Sequence, residues 1–166
     1  MKFLILLVLM SCSNVKQLKY NETPTAAPVN PEMTTVYFLR SKNLAGINFV
    51  INERLTTEDK SVERPIGVLS SNSYFYTQLS PGKHVFSYAT SFRKDKAEIE
   101  VDLKKAKTYY ITMKEMITGS YPTTTYTNME TTEGKFFFLD EVTAKKMLLN
   151  LKEVDLKANE KFLIKK

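Results

Sequence analysis

The side chains best suited to chemistry are few in this sequence. His84 is the sole histidine and Cys12 the sole cysteine of 166 residues. A Ser-His-Asp arrangement needs its histidine beside a nucleophile. His84 instead follows a Pro-Gly pair at the start of a strand-like run, KHVFSYAT, a place that suits a turn or packing histidine. Zinc takes three or four His, Cys or carboxylate ligands, and one histidine with one remote cysteine cannot supply them. A cysteine–histidine nucleophile fails for the same reason. Glu98, Glu100 and Asp102 alternate with Ile99, Val101 and Leu103. A carboxylate row could bind calcium or serve acid–base work, but on an alternating strand it is ordinarily the wet face. The five glycines, at 46, 67, 82, 119 and 134, are too dispersed to cradle a phosphate. The expectation is a non-enzyme with neither metal nor cofactor.

The remaining cluster is aromatic: Tyr74, Tyr76, Phe86, Tyr88, Tyr109 and Tyr110. Residues two apart on a strand point to one face. That pairs Tyr74 with Tyr76, and groups His84 with Phe86 and Tyr88. The runs NSYFYTQL and KHVFSYAT flank Ser80-Pro81-Gly82, where Pro pre-sets φ and Gly takes a positive φ. Read as a hairpin, they bring the two sets together as one aromatic patch. Two uses are open: core packing or, for any exposed part, a binding surface for a protein or glycan. A second candidate is the Thr-rich stretch 118–134, TGSYPTTTYTNMETTEG. It reads as a surface hairpin or loop. As a binding loop it would use Tyr121 and Tyr126 for contact area and threonines for hydrogen bonds.

The elements that must position these residues are mostly strands. TTVYFLR, INFVINE, PIGVLS, AEIEVDL and TYYITMKEM are β-branched, aromatic or alternating, and FFFL is a last short run. Seven to eight short strands without interleaved helices predict a mainly β chain, an antiparallel β-sandwich over residues 33–139. Residues 140–166 are expected to pack on it. Asp140 is a good N-cap, and a helix is predicted over 141–151, with Val142, Met147, Leu148 and Leu151 on one stripe. The residues from Asn159 onward read as an edge strand or a frayed end.

Hydrophobic residues make up 43% and charged residues 25%, an ordinary globular balance that argues against disorder. The net charge is +6, from 24 Lys and Arg against 18 Asp and Glu. The cations are scattered, and only Arg40, Arg54, Arg64 and Arg93 are arginine. A nucleic-acid surface would cluster them and use Arg forks, so no nucleic-acid partner is expected. A solvated lysine surface and attraction to an anionic envelope surface both remain open.

Cys12 gains meaning from its neighbours. Met1-Lys2 is followed by an apolar run, Phe3 to Met10, and then Ser11-Cys12. Eight apolar residues cannot span a bilayer, which takes roughly 20, but the order is that of a secretory signal. With Leu9 three places and Ser11 one place before Cys12, the segment resembles a bacterial lipoprotein signal. The resemblance implies a signal peptide over 1–11, cleavage before Cys12, a lipid on its sulfur and acylation of the new amino terminus. Two or more acyl chains suffice for stable anchoring. Residues 12–32 are polar, with prolines at 24, 28 and 31, and read as a flexible tether. By the sorting rule of enteric bacterial lipoproteins, the resemblance implies from Ser13 in place of Asp an outer rather than an inner membrane, facing the periplasm or the surface.

Three further pieces carry a second resemblance: Ser73-Tyr74-Phe75-Tyr76, Pro81-Gly82-Lys83-His84 and Lys107-Thr108-Tyr109-Tyr110. Over roughly 36–113 the chain is similar to an uncharacterised family of small bacterial lipoprotein β-sandwich domains, prealbumin-like or carboxypeptidase-regulatory-like in architecture. That family implies a fold but no catalytic residues. Its turn before the Lys-Thr-Tyr-Tyr strand usually offers Gly. Here Lys104-Lys105-Ala106 stands there, so a turn without positive φ, or a longer connection, is expected. Together these readings imply a lipid-anchored, non-catalytic envelope domain that binds or spaces an envelope protein or glycan. The alternative is a periplasmic inhibitor or immunity-type protein that blocks a single enzyme.

Overall fold

The computed structural model describes residues 18–42, 48–56, 61–89, 96–122 and 128–163. Cys12, the expected signal peptide and Tyr126 lie outside the described residues. Among the described residues there are nine strands: β1 Thr34–Arg40, β2 Phe49–Thr56, β3 Ser61–Leu69, β4 Ser73–Leu79, β5 Gly82–Ala89, β6 Lys96–Leu103, β7 Thr108–Pro122, β8 Asn128–Phe138 and β9 Lys152–Glu153. One helix, α1 Glu141–Leu148, and a 3₁₀ turn at Glu160–Phe162 complete the order. No helix among the described residues is long and apolar enough to cross a membrane.

The strands form two sheets, β8-β7-β1-β4-β9 and β3-β2-β5-β6. Most pairs are antiparallel, while β1 runs parallel to β7 and β4 parallel to β9. Alternation along each strand supplies the core. Val36 and Phe38 of β1, Phe75 and Leu79 of β4 and Ile111 and Met113 of β7 face Phe49 and Ile51 of β2, Phe86 and Tyr88 of β5 and Val101 and Leu103 of β6. Phe38 stacks on Phe75 and meets Phe86 edge-on, both at 5.1 Å between ring centres. At Gly67 an added Cβ would lie 2.2 Å from the Phe75 ring, so only glycine lets β3 close over that ring. Pro65 sits in β3, an edge strand, beside an irregularity in the β2–β3 register at Ile51/Asn52, where a missing N–H is tolerated.

The sandwich was expected, but the hairpin at Pro81-Gly82 was not what formed. β4 and β5 belong to different sheets. The Pro-Gly corner, with Gly82 at φ 135°, carries the chain from one layer to the other. The turn before β7 also departs from expectation, because Ala106 adopts φ 56°. Its N–H reaches the Met33 carbonyl at 3.1 Å, and the Lys107 carbonyl accepts from Thr35 at 3.0 Å. These bonds dock the turn on the entrance to β1 and hold the strained residue in place. The Thr-rich region is mostly strand: β7 and β8 pair from Ile111/Phe138 out to Pro122/Asn128.

Helix α1 starts as expected, with Asp140 accepting from the Thr143 N–H at 2.9 Å. It ends at Leu148, and Leu151 is buried beyond it. Val142 is 64% exposed, and Ala144 takes the buried place that the predicted stripe gave to Val142. Glu160–Phe162 forms a 3₁₀ turn where an edge strand or a frayed end was expected.

Candidate functional site

The outer face of the first sheet has an unusual composition. Because β1 lies between β4 and β7, its outward residues meet partners on both sides. Tyr37 faces Tyr76 on β4 and Tyr110 on β7; Leu39 faces Tyr74 and Thr112; Thr35 faces Gln78 and Thr108. Three tyrosines thus form a row across three strands. Tyr37 lies 5.3 Å from Tyr110, 5.5 Å from Tyr76 and 6.3 Å from Tyr74, ring centre to ring centre. Such cross-strand aromatic pairs contribute to sheet stability as well as forming a surface.

Two separate segments share the covering of this face. Helix α1 covers one part: Ala144, Met147 and Leu148, with Leu139 and Leu151, pack on Leu39, Tyr74 and Tyr110. Residues 18–32 cover the other. They were expected to be a loose tether, but from Leu18 onward the segment is docked. Leu18 is buried in the main core. Tyr20 bridges to Val154 beside β9. Asn159, fully buried, accepts from the Lys19 N–H at 3.0 Å and donates to the Lys19 carbonyl at 2.7 Å. Composition gave little hint of this, because beyond Leu18 and Tyr20 the docking uses backbone groups and a remote asparagine.

The fastening point of the strap is Glu153 on β9, 4% exposed. Its carboxylate accepts from Asn21 Nδ2 at 2.6 Å, the Thr25 N–H at 2.7 Å, Thr25 Oγ1 at 2.9 Å and the Tyr74 hydroxyl at 3.1 Å. Four neutral donors around one buried carboxylate satisfy its lone pairs. Beyond Thr25 the strap crosses the tyrosine row. Thr25 Oγ1 lies 3.5 Å from the Tyr76 hydroxyl, and Gln78 Nε2 donates to the Pro28 carbonyl at 2.6 Å. Between strap and sheet lies a cleft of about 240 Å³, bordered by Pro28, Val29, Pro31, Met33, Tyr37 and Tyr110.

Burial raises the hydroxyl pKa of Tyr37, Tyr74 and Tyr110 above the ordinary phenol range. The shift is largest at Tyr74, where the Glu153 carboxylate adds to desolvation. These hydroxyls are neutral hydrogen-bonding groups at physiological pH.

The expected aromatic patch across the Pro-Gly corner does not form. Tyr74 and Tyr76 lie on the outer face of one sheet, whereas Phe86 and Tyr88, 0% and 1% exposed, point into the core from the other. Tyr121 is placed in β7, opposite Met129. Tyr37 escaped notice in the sequence, although the alternation Thr35, Tyr37, Leu39 opposite Val36 and Phe38 carried the signal. Tyr110 was visible in the aromatic cluster but could not be assigned to this face.

His84 has acquired partners on the inner side. Its Nδ1 lies 2.5 Å from Glu53 Oε1, and its Nε2 lies 2.9 Å from the Ser80 carbonyl. Glu53 is fully buried and also receives Arg64 at 2.6 and 2.7 Å. The nitrogen that a general base would turn to a substrate faces a carbonyl within the Pro-Gly corner. Glu98, in the carboxylate row, pairs with Arg54 at 2.8 Å, and Asp102 pairs with Lys104. Among the described residues no three His, Cys, Asp or Glu side chains converge as a metal site.

No protein-family model matches this chain, and neither does any curated protein or any solved structure.

Proposed function

We propose that the chain is a lipid-anchored, non-catalytic domain of the bacterial cell envelope that binds or spaces another envelope component through the outer tyrosine face. The observation that carries the binding half is the Tyr110–Tyr37–Tyr76 row on the outer sheet face, beneath a segment that leads back towards Cys12. Tyrosines offer large, rigid contact area at little entropic cost.

The anchoring half draws on the apolar run and Ser11-Cys12. The docked strap adds a geometric consequence. Only six residue steps separate Cys12 from Leu18, so an acylated Cys12 holds Leu18 within about 20 Å of the lipid. Lys19, Lys157 and Lys161 are exposed around that end, which suits an anionic leaflet.

A second reading, a stoichiometric inhibitor of one enzyme, gains support from the β7–β8 ribbon. Beyond Thr112, β7 pairs with no strand but β8 among the described residues. A tight one-to-one complex with an envelope enzyme would be its mark.

Acyl labelling and membrane fractionation of the wild type beside Cys12→Ala test the anchor. The expected result is labelled, membrane-bound wild type and unlabelled, released Cys12→Ala. Equal fractionation without label in either removes the anchored reading.

A further inference from the structure

We propose that the outer tyrosine row is a docking site for an extended, proline-containing segment of a partner protein, and that residues 22–31 occupy it in cis as a displaceable stand-in. The inference rests on reading the domain as a binding module. It does not depend on acylation of Cys12.

The first support is the occupant. The sequence NETPTAAPVNP places prolines at 24, 28 and 31. Each proline fixes its own φ and biases the preceding residue towards extended backbone. No regular secondary structure is present from Pro24 to Asn30. Prolines laid over aromatic rings are a recurrent recognition mode, because the chain is already extended and loses little entropy on binding.

The second support is how the face holds it. Gln78 donates to a main-chain carbonyl, that of Pro28, and the backbone of Ala27 lies against the Tyr37 hydroxyl. Those contacts read an extended backbone rather than particular side chains. Another sequence of the same shape would meet the same groups. The 240 Å³ cleft beside Tyr37 and Tyr110 is space that a bulkier side chain than those of the strap could enter.

The third support is that the strap is lightly held. Residues 22–26 and 28–32 are all exposed, Val29 at 97%, so little apolar area opposes lifting. Segments with few buried contacts open at low free-energy cost. The hold is concentrated at Glu153, through Asn21 and Thr25. A covalently linked strap competes at an effective concentration of order mM. A partner segment consequently binds the closed protein more weakly than the opened one.

The test uses the full-length protein, with a fluorescent synthetic peptide of residues 20–32 as the probe and anisotropy as the readout. Asn21→Ala/Thr25→Pro removes three of the four donors to Glu153, together with the Thr25–Tyr76 contact, and changes no residue of the tyrosine face. The peptide is expected to bind this variant at least tenfold more tightly than wild type. A peptide with all three prolines replaced by alanine should lose most of that binding. Gln78→Ala added to the opened variant should weaken it severalfold with an unchanged circular dichroism spectrum. Two results would overturn the proposal: no binding to the opened variant, or equal binding to wild type and opened protein. Either result, obtained while Cys12 is still acylated, removes the docking site and leaves the anchored domain standing.

Discussion

At the scale of single residues, the most constrained group is Glu53. It is fully buried, and its two oxygens are divided between His84 and Arg64. His84 Nε2 faces the Ser80 carbonyl, which can only accept, so that nitrogen must donate. Glu53→Ala leaves His84 and Arg64 without their shared acceptor. Arg64 is half-exposed and turns to solvent, but the buried His84 Nδ1 loses its partner, which costs about 1–3 kcal/mol, and denaturant unfolding should show a loss of that size. A loss near zero would mean that water replaces the carboxylate. His84 also stacks beside Phe86 at 6.0 Å. The sole histidine thus joins the corner between sheets to the core, a structural use that the sequence pattern already favoured without naming its partner.

At the scale of elements, the turn between β6 and β7 is under strain that its docking holds in place. Ala106, at φ 56°, occupies the left-handed region that favours glycine. The left-handed conformation costs a residue with a Cβ about 1–2 kcal/mol, partly offset by the lower entropy of its unfolded state. Ala106→Gly should therefore raise stability by about 0.5–1 kcal/mol, read as a higher denaturation midpoint. A decrease would show that the methyl group makes a contact outweighing the strain. The helix shows the same division between local and distant causes. Its start obeys Asp140, a local cap. Its buried face is set by what α1 lies on, namely Leu39, Tyr74 and Tyr110. This is why Ala144 rather than Val142 turns inward.

At the scale of the whole molecule, a single sheet face is covered by two segments far apart in sequence. The strap approaches from the N-terminal side and the helix from the C-terminal side. Both rest on tyrosines whose hydroxyl pKa is raised, chiefly by burial. For such groups the unfolded chain ionises first, near the ordinary pKa of about 10. Their contribution to stability is complete below that pH and is lost as pH rises towards the folded values. Tyrosinate absorbance should show Tyr37, Tyr74 and Tyr110 silent through pH 10, ionising together as the fold opens. Independent ionisation of all the tyrosines near pH 10, with the fold intact, would contradict the burial of this face.

The sequence by itself determined the class of the protein. Period-two alternation in TTVYFLR and AEIEVDL, the Pro-Gly corner and the Asp140 cap are local signals. Local physics is enough to make strands, a turn and a helix start. It also confined the possible chemistry, because residue counts need no coordinates. Only the tertiary structure decided which strands share a sheet, and with that which aromatics face out. Alternation says that two faces differ, but not which neighbour lies beside them. Tyr76 therefore looked like a companion of Phe86 until β4 and β5 separated into different layers. The docked strap was hidden for a related reason. Its hold comes from Asn159 and Glu153, more than a hundred residues away. Backbone hydrogen bonds to distant partners leave no periodic trace in the segment that makes them.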